Sequence, residues 1–193
     1  MNKSLLTLTT LTALLAVASA QIVSKGACPE NVKVVEDFNV EKYLGKWYEY
    51  AKYPVYFEAD GKCISAEYSL NSSGLVNVKN ALINEKTNAN SDILGTATLI
   101  SNAKLLVKFP VSPVITVSSN YWVLDTDYDN YTVVYSCTPV TENTHATIVW
   151  ILTRQPLPEP TIIEKAVSVL KTNDISLQDL KITNQISCNE ETA

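Results

Sequence analysis

The side chains able to do chemistry are few. The chain has one histidine, His145, and four cysteines, Cys28, Cys63, Cys137 and Cys188. Two carboxylates, Glu49 and Glu67, stand among apolar neighbours in strand-like runs. Nucleophilic catalysis needs a hydroxyl or thiol beside a base, and His145 has no evident serine partner; just ahead of a strand-like run it reads as a surface residue. Zinc sites want short paired spacings of Cys and His, and no CxxC occurs here, so no metal and no cofactor is expected. Glu49 or Glu67 would more readily orient a ligand than act as a buried acid. No catalytic residues are assigned.

The cysteines take their meaning from the compartment. Met1–Ala20 carries one charge, Lys3, then the apolar run Leu11–Val17, and closes on Ala18-Ser19-Ala20. That is the pattern of a signal peptide, with an apolar run too short for a permanent anchor. A secreted chain beginning near Gln21 is expected, and four cysteines in an oxidising compartment read as two disulfides. Spacing leaves all three pairings open. The only methionine is Met1, so the mature chain offers no thioether.

Charged residues are 18% and the net charge is −5, with no basic run, which argues against nucleic acid as a partner. Hydrophobic residues at 46% exclude disorder. Residues 21–193 read as one domain.

Between Gly45 and Arg154 short strand-like runs alternate with turn signals. The runs are Lys46–Tyr53, Ile64–Leu70, Leu75–Ile83, Ile93–Ile100, Lys104–Phe109, Tyr121–Leu124, Tyr131–Tyr135 and Thr147–Thr153. Eight strands with short connections are the rhythm of an antiparallel meander. A helix follows at Ile162–Leu170, with Thr161 as its expected cap and Glu164 completing a capping box. Leu180–Thr183 is expected as a short last strand. An all-β fold follows: an eight-stranded antiparallel up-and-down barrel, closed to abolish its edges, with one C-terminal α-helix outside. Such a barrel holds either its own side chains or one small ligand, and periodicity alone does not separate the two. The polar accents Glu49, Glu67 and Tyr68 favour a lined cavity.

Gly45-Lys46-Trp47 opens the first of these strands, Thr126-Asp127-Tyr128 lies in the sixth-to-seventh turn, and Arg154 ends the eighth strand. This ordered set resembles the three shared regions of the lipocalin family: GxW, TDY and a lone basic residue. The likeness extends over nearly the whole mature chain toward the apolipoprotein D and insect bilin-binding branches. It is carried by Leu44–Glu49, Ala66–Leu70, Tyr121–Leu124, Thr126–Tyr131, Val134–Cys137, Trp150–Leu152 and Asn184-Gln185, and by Gly26–Pro29 and Ala51–Pro54.

The resemblance implies that Trp47 packs inside the closed end with Arg154 across its face. It implies the pairings Cys28–Cys137 and Cys63–Cys188. It also implies a carrier of a small hydrophobic ligand: a fatty acid, steroid, retinoid or biliverdin-type pigment. The alternative is a lipocalin-type enzyme such as an isomerase acting on a lipid; the best known of these uses a free thiol, and none is left over here.

Tyr68 and Trp150 match pocket positions of the family. Strand alternation independently turns Trp150, Ile148 and Leu152 inward if Arg154 faces in, with simple core filling as the rival role for Trp150. Phe109 and Glu49 complete the candidate lining. Pro110–Val117 is expected as a long open-end loop, facing Val55-Tyr56-Phe57 across the mouth, where a lipoprotein, membrane surface or receptor would dock. Sequons place candidate glycans at Asn71 and Asn130, both in turns.

Overall fold

The computed structural model describes residues 21–188; the expected signal peptide, 1–20, lies outside them. The strands are β1 (Ile22–Lys25), β2 (Gly45–Lys52), β3 (Gly61–Leu70), β4 (Val76–Asn84), β5 (Asn90–Ser101), β6 (Lys104–Ser112), β7 (Ile115–Thr126), β8 (Tyr131–Thr141), β9 (Thr144–Thr153) and β10 (Lys181–Ile182). The helices are α1 (Val40–Tyr43) and α2 (Pro160–Thr172), with a 3-10 turn at Tyr56–Glu58.

Strands β2 to β9 pair antiparallel in sequence order, and β9 returns to β2 through Tyr48↔Thr153 and Lys52↔Trp150, so the sheet closes into the expected eight-stranded barrel. Two strands absent from the simple meander extend it: β1 on the outer half of β9 and β10 on the end of β2.

Alternation sorts the side chains into two cores. Trp47, Tyr68, Val78, Leu105, Val123, Val134 and Leu152 fill the lower barrel. Their neighbours in sequence, such as Val133, Val149 and Ile151, face outward beneath Ala166 and Leu170 of α2. Cys28 joins Cys137 and Cys63 joins Cys188, the expected pairings.

Several expectations are corrected. Pro110–Val117 is mostly sheet: β6 and β7 run to a tight turn at Pro113-Val114, because Phe109↔Val117 and Pro110↔Thr116 continue the ladder past the predicted end. Helix α2 starts at Pro160 with Glu159 at its cap and no side-chain capping bond. The ring of Pro160 holds the φ that a first helical residue requires, so Thr161 is already inside the helix and cannot cap it. His145 lies within β9, 9% exposed, with Nδ1 2.9 Å from the Gly26 carbonyl oxygen. Added strand β1 covers it, pairing Ser24 with His145. Glu67 is exposed, because its ladder partner Lys46 is on the outer face.

Candidate ligand-binding calyx

The closed end is built from the three motif segments. Gly45 has φ +92°, and a Cβ there would stand 3.3 Å from Arg154 Nη1, so glycine is needed both for the backbone and for the guanidinium. That guanidinium lies over Trp47, with Cζ 3.7 Å from the ring centroid. It donates from Nε to the Tyr128 carbonyl (2.9 Å), from Nη1 to Lys46 O (3.0 Å) and from Nη2 to Lys42 O (3.0 Å). Trp47 Nε1 donates to Tyr43 O (2.9 Å). The turn is tied by Thr126 Oγ1, which donates to Tyr131 O and accepts from Tyr128 N, and by Asp127 Oδ1, which accepts from Asn130 N and Tyr131 N. Burial works against the Asp127 charge, but these donors hold its carboxyl below the usual range.

Above this plug stands a chain of buried hydroxyls. Tyr68 donates to Tyr121 (2.9 Å), Tyr121 and Tyr43 are 2.8 Å apart, Tyr43 donates to Thr132 (3.3 Å), and Thr132 donates to Asp125 O (3.4 Å). The last acceptor is a carbonyl, which cannot donate, so every bond in the chain points the same way: Tyr68, Tyr121, Tyr43, Thr132, carbonyl. The Tyr68 oxygen therefore heads the chain with its acceptor capacity unused. Burial pushes all three phenols up, Tyr43 to about 12, and keeps them neutral hydrogen-bonding groups.

Asn80 adds a second acceptor. It shares the inward parity of Val76 and Val78, and its Oδ1 is buried without a partner. Val78 pairs with Tyr68 and Asn80 with Ala66, so Tyr68 and Asn80 project into the barrel from adjoining rungs of the β3–β4 ladder. Sequence reasoning passed over Asn80, although its place in the alternation of β4 could have marked it.

Inward residues change character toward the mouth. Trp47, Val123 and Val134 are fully buried, whereas Ala66, Phe109 and Trp150 retain accessible surface although they point into the barrel. The base is packed, and accessible surface appears only above it. Trp150 stacks on Tyr121 with centroids 6.5 Å apart, Leu152 and Ile148 alternate with it along β9, and the Phe109 ring lies over Gly95, where a Cβ would come within 2.5 Å of it. Tyr68, Trp150, Leu152, Ile148 and Phe109 are thus brought to one interior.

Glu49 also faces in, but its carboxyl is engaged in the wall. Thr183 Oγ1 donates to it, and Lys52 Nζ lies 2.9 Å from Glu49 Oε1 and 2.9 Å from Glu58 Oε2. Lys52, paired with Trp150, turns inward because the ladder shifts between Glu49 and Ala51. A bulge is not readable in the sequence, so the ion cluster was missed. Burial, then the Glu58 charge, push the Glu49 carboxyl up to about 8.

The chain's own tail completes this wall. Where β2 and β3 part, Gln185 Nε2 bridges Glu49 O (2.9 Å) and Ile64 O (2.8 Å), replacing ladder bonds, and the Cys63–Cys188 disulfide pins the segment. All four cysteines are paired, and among the described residues no cluster of His, Cys, Asp and Glu suited to a metal occurs.

A closed eight-stranded barrel, plugged at its base by a cation–π pair and lined within by aromatic side chains, is the architecture of a candidate binding calyx. Residues 38–185 match the family model described as a lipocalin-like domain. The chain is 42% identical to apolipoprotein D of Bos taurus, covering 96% of this chain and 97% of that protein. It is 34% identical to the Lazarillo protein of Schistocerca americana, over 95% and 86% of the two chains. Among solved structures, insecticyanin from the tobacco hornworm Manduca sexta superposes with a TM-score of 0.76 at 29% identity, covering 85% of this chain and 89% of that one. The chain belongs to the lipocalin family.

Proposed function

We propose that this protein is a secreted carrier that holds one small hydrophobic ligand in its calyx. The candidate cargoes are a steroid, a retinoid, a fatty acid or a biliverdin-type pigment. The ligand's flat or elongated apolar body rests on Trp150, Phe109, Leu152 and Ile148. Its polar end donates a hydrogen bond to the Tyr68 hydroxyl oxygen and Asn80 Oδ1. The observation that carries this reading is that two buried, inward-facing acceptors, the Tyr68 hydroxyl oxygen and Asn80 Oδ1, have no donor among the described residues. A buried acceptor left unpaired is costly, and a bound hydroxyl or N–H relieves that cost. Glu49 organises the wall rather than the ligand.

Two disulfides and the leader pattern support secretion. With every cysteine paired, the thiol-dependent isomerase alternative lacks its nucleophile. Exposed Tyr56, Phe57, Val111, Val114 and Ile115 at the mouth suit contact with a lipid surface or receptor. A glycan fits Asn71, a half-buried turn residue whose Nδ2 is unengaged, better than Asn130, whose Nδ2 is bonded to Asp127.

Titration with retinol, followed by tryptophan fluorescence, is the test. Saturable quenching at one ligand per chain without turnover supports the carrier; absence of quenching by retinol, progesterone and arachidonate alike, with no apolar molecule co-purifying, overturns it.

A further inference from the structure

The mouth of the barrel holds a buried charge to which the carrier reading gives no role. Lys52 ends β2 and is the one buried lysine among the described residues. Its ladder partner is Trp150, so its side chain enters the barrel beside a ring that lines the interior. Its Nζ lies 2.9 Å from Glu49 Oε1 and 2.9 Å from Glu58 Oε2. The two carboxyl groups are not equivalent. Glu49 sits on the same strand, its Oε1 also accepts from Thr183, and burial foremost raises it to about 8, so it is uncharged at pH 7. Glu58 comes from the loop joining β2 to β3, and its carboxylate alone balances the ammonium.

The Lys52–Glu58 pair is close but poorly aligned: neither Lys52 Nζ nor Glu58 Oε2 makes a directed hydrogen bond, although both atoms are buried. A buried ion pair offsets its desolvation only when its geometry is good. The pair is also the one polar tie between the Tyr56–Glu58 turn and the barrel among the described residues. The turn's backbone bonds, Glu58 N to Val55 O and Ala59 N to Tyr56 O, stay within it. Val55 is buried ahead of the turn and Asp60 O accepts from Glu85 N after it, so the segment is anchored at both ends. Tyr56 and Phe57 between these anchors are exposed. Burial foremost, with the Tyr43 phenol and the Glu58 charge adding to it, raises the Tyr68 phenol, which sets the Glu58 carboxylate within electrostatic reach of the calyx foot.

We infer that Glu58 stands in for a ligand carboxylate: an acidic cargo replaces it on Lys52 and releases the Tyr56–Glu58 turn, whereas a neutral cargo leaves the turn latched. The inference rests on the carrier reading and narrows its cargo to an elongated apolar molecule with a hydroxyl or N–H at its inner end and a carboxylate at its outer end. The two ends meet different heights of the barrel. Asn80 shares a rung with Ala66 and Trp47 near the start of β2, and Lys52 is the last residue of that strand. A carboxylate on a flexible chain can align with the ammonium where Glu58, held by its turn, does not, and charge-assisted bonds of good geometry are the strong ones. The incoming charge repels Glu58, which turns out to water. An uncharged head offers Lys52 nothing in exchange, so Glu58 stays.

The test compares 16-hydroxyhexadecanoate with hexadecane-1,16-diol, which differ only at the outer end. Tryptophan fluorescence gives the affinities, and chymotrypsin cleavage after Tyr56 and Phe57, mapped by mass spectrometry, reports release of the turn. The acid should bind about tenfold more tightly than the diol and speed this cleavage, while the diol leaves it unchanged. E58Q should be cleaved fast without ligand and bind the acid more tightly than the wild type does. K52M should bind acid and diol alike. Equal affinity of the wild-type protein for the two ligands, cleavage indifferent to the acid, or weaker binding of the acid by E58Q would each overturn the inference. If retinol binds in those cases, the carrier reading stands without it; if retinol, acid and diol all fail to bind, both fall.

Discussion

The Arg154 guanidinium lies over Trp47, its Cζ 3.7 Å from the ring centroid, and joins the last strand of the barrel to the first. Its three donors meanwhile satisfy carbonyls of Tyr128, Lys46 and Lys42, so one side chain closes the floor from both termini of the meander. Arg154→Ala strips the cation from the ring and leaves three carbonyls short of a donor. It should cost about 2–4 kcal/mol in urea unfolding. Arg154→Lys should recover less than half of that, since an ammonium cannot stack and fork at once.

Glu49 gives stability a pH dependence. Its carboxyl is raised from 4.5 to about 8 in the folded chain, so the native state holds a proton that the unfolded state releases. The contribution is fully present below about 4.5 and is lost as pH rises through about 8. Tm should therefore fall across that window, and Glu49→Gln should flatten the slope, an effect on the order of a few kcal/mol. An unchanged slope in the glutamine variant would show that another group sets it.

Trp150→Ala should weaken retinol at least about tenfold by removing one aromatic wall, while the far-ultraviolet circular dichroism stays that of a barrel. Trp150 keeps accessible surface while its strand neighbours Val149 and Ile151 do not, which is why its loss should spare the fold. Collapse of the fold in this variant would assign Trp150 to the core instead.

Asn80→Leu separates ligand recognition from stability. It removes a buried oxygen without a partner, so Tm should hold or rise. Retinol, which has a hydroxyl to donate, should bind about five- to tenfold more weakly, and retinyl acetate, which has none, should be unaffected. Equal losses for both ligands would remove Asn80 from the recognition of the polar end.

Replacing Cys63 and Cys188 by serine frees the tail that fills the gap between β2 and β3. Removing a native disulfide typically costs about 2–5 kcal/mol, and the long loop closed here puts the expected loss at the upper end of that range. Hydrogen exchange should rise first at Thr183, whose N–H bonds Tyr50 O, and at Cys63, whose N–H bonds Asn184 O.

The floor of this protein was legible in its sequence because the motif residues act locally or in fixed order: Gly45 for its φ, Thr126 and Asp127 for a turn within five residues, Arg154 at the end of a strand. Period-two alternation likewise set Trp150, Leu152 and Ile148 on one face. Lys52 was not legible, because a register shift at Tyr50 reverses the parity that alternation assumes. Nor was the burial of His145, which depends on strand β1 and the Gly26 carbonyl, the latter 119 residues away in sequence. The helix start was misread because two local signals competed, and Pro160 took precedence over Thr161.

The amino-acid sequence by itself determined the eight-strand order, the outer helix, the paired cysteines and the family, since each of these rests on local propensity, periodicity or ordered motifs. Only the tertiary structure decided that the tail completes the barrel wall, that a tyrosine chain runs one way from Tyr68 to a carbonyl, and that Asn80 faces the interior unpaired. Those features are contacts between residues far apart in the chain, and hydrogen-bond direction is fixed by the last acceptor in a network rather than by any residue read alone.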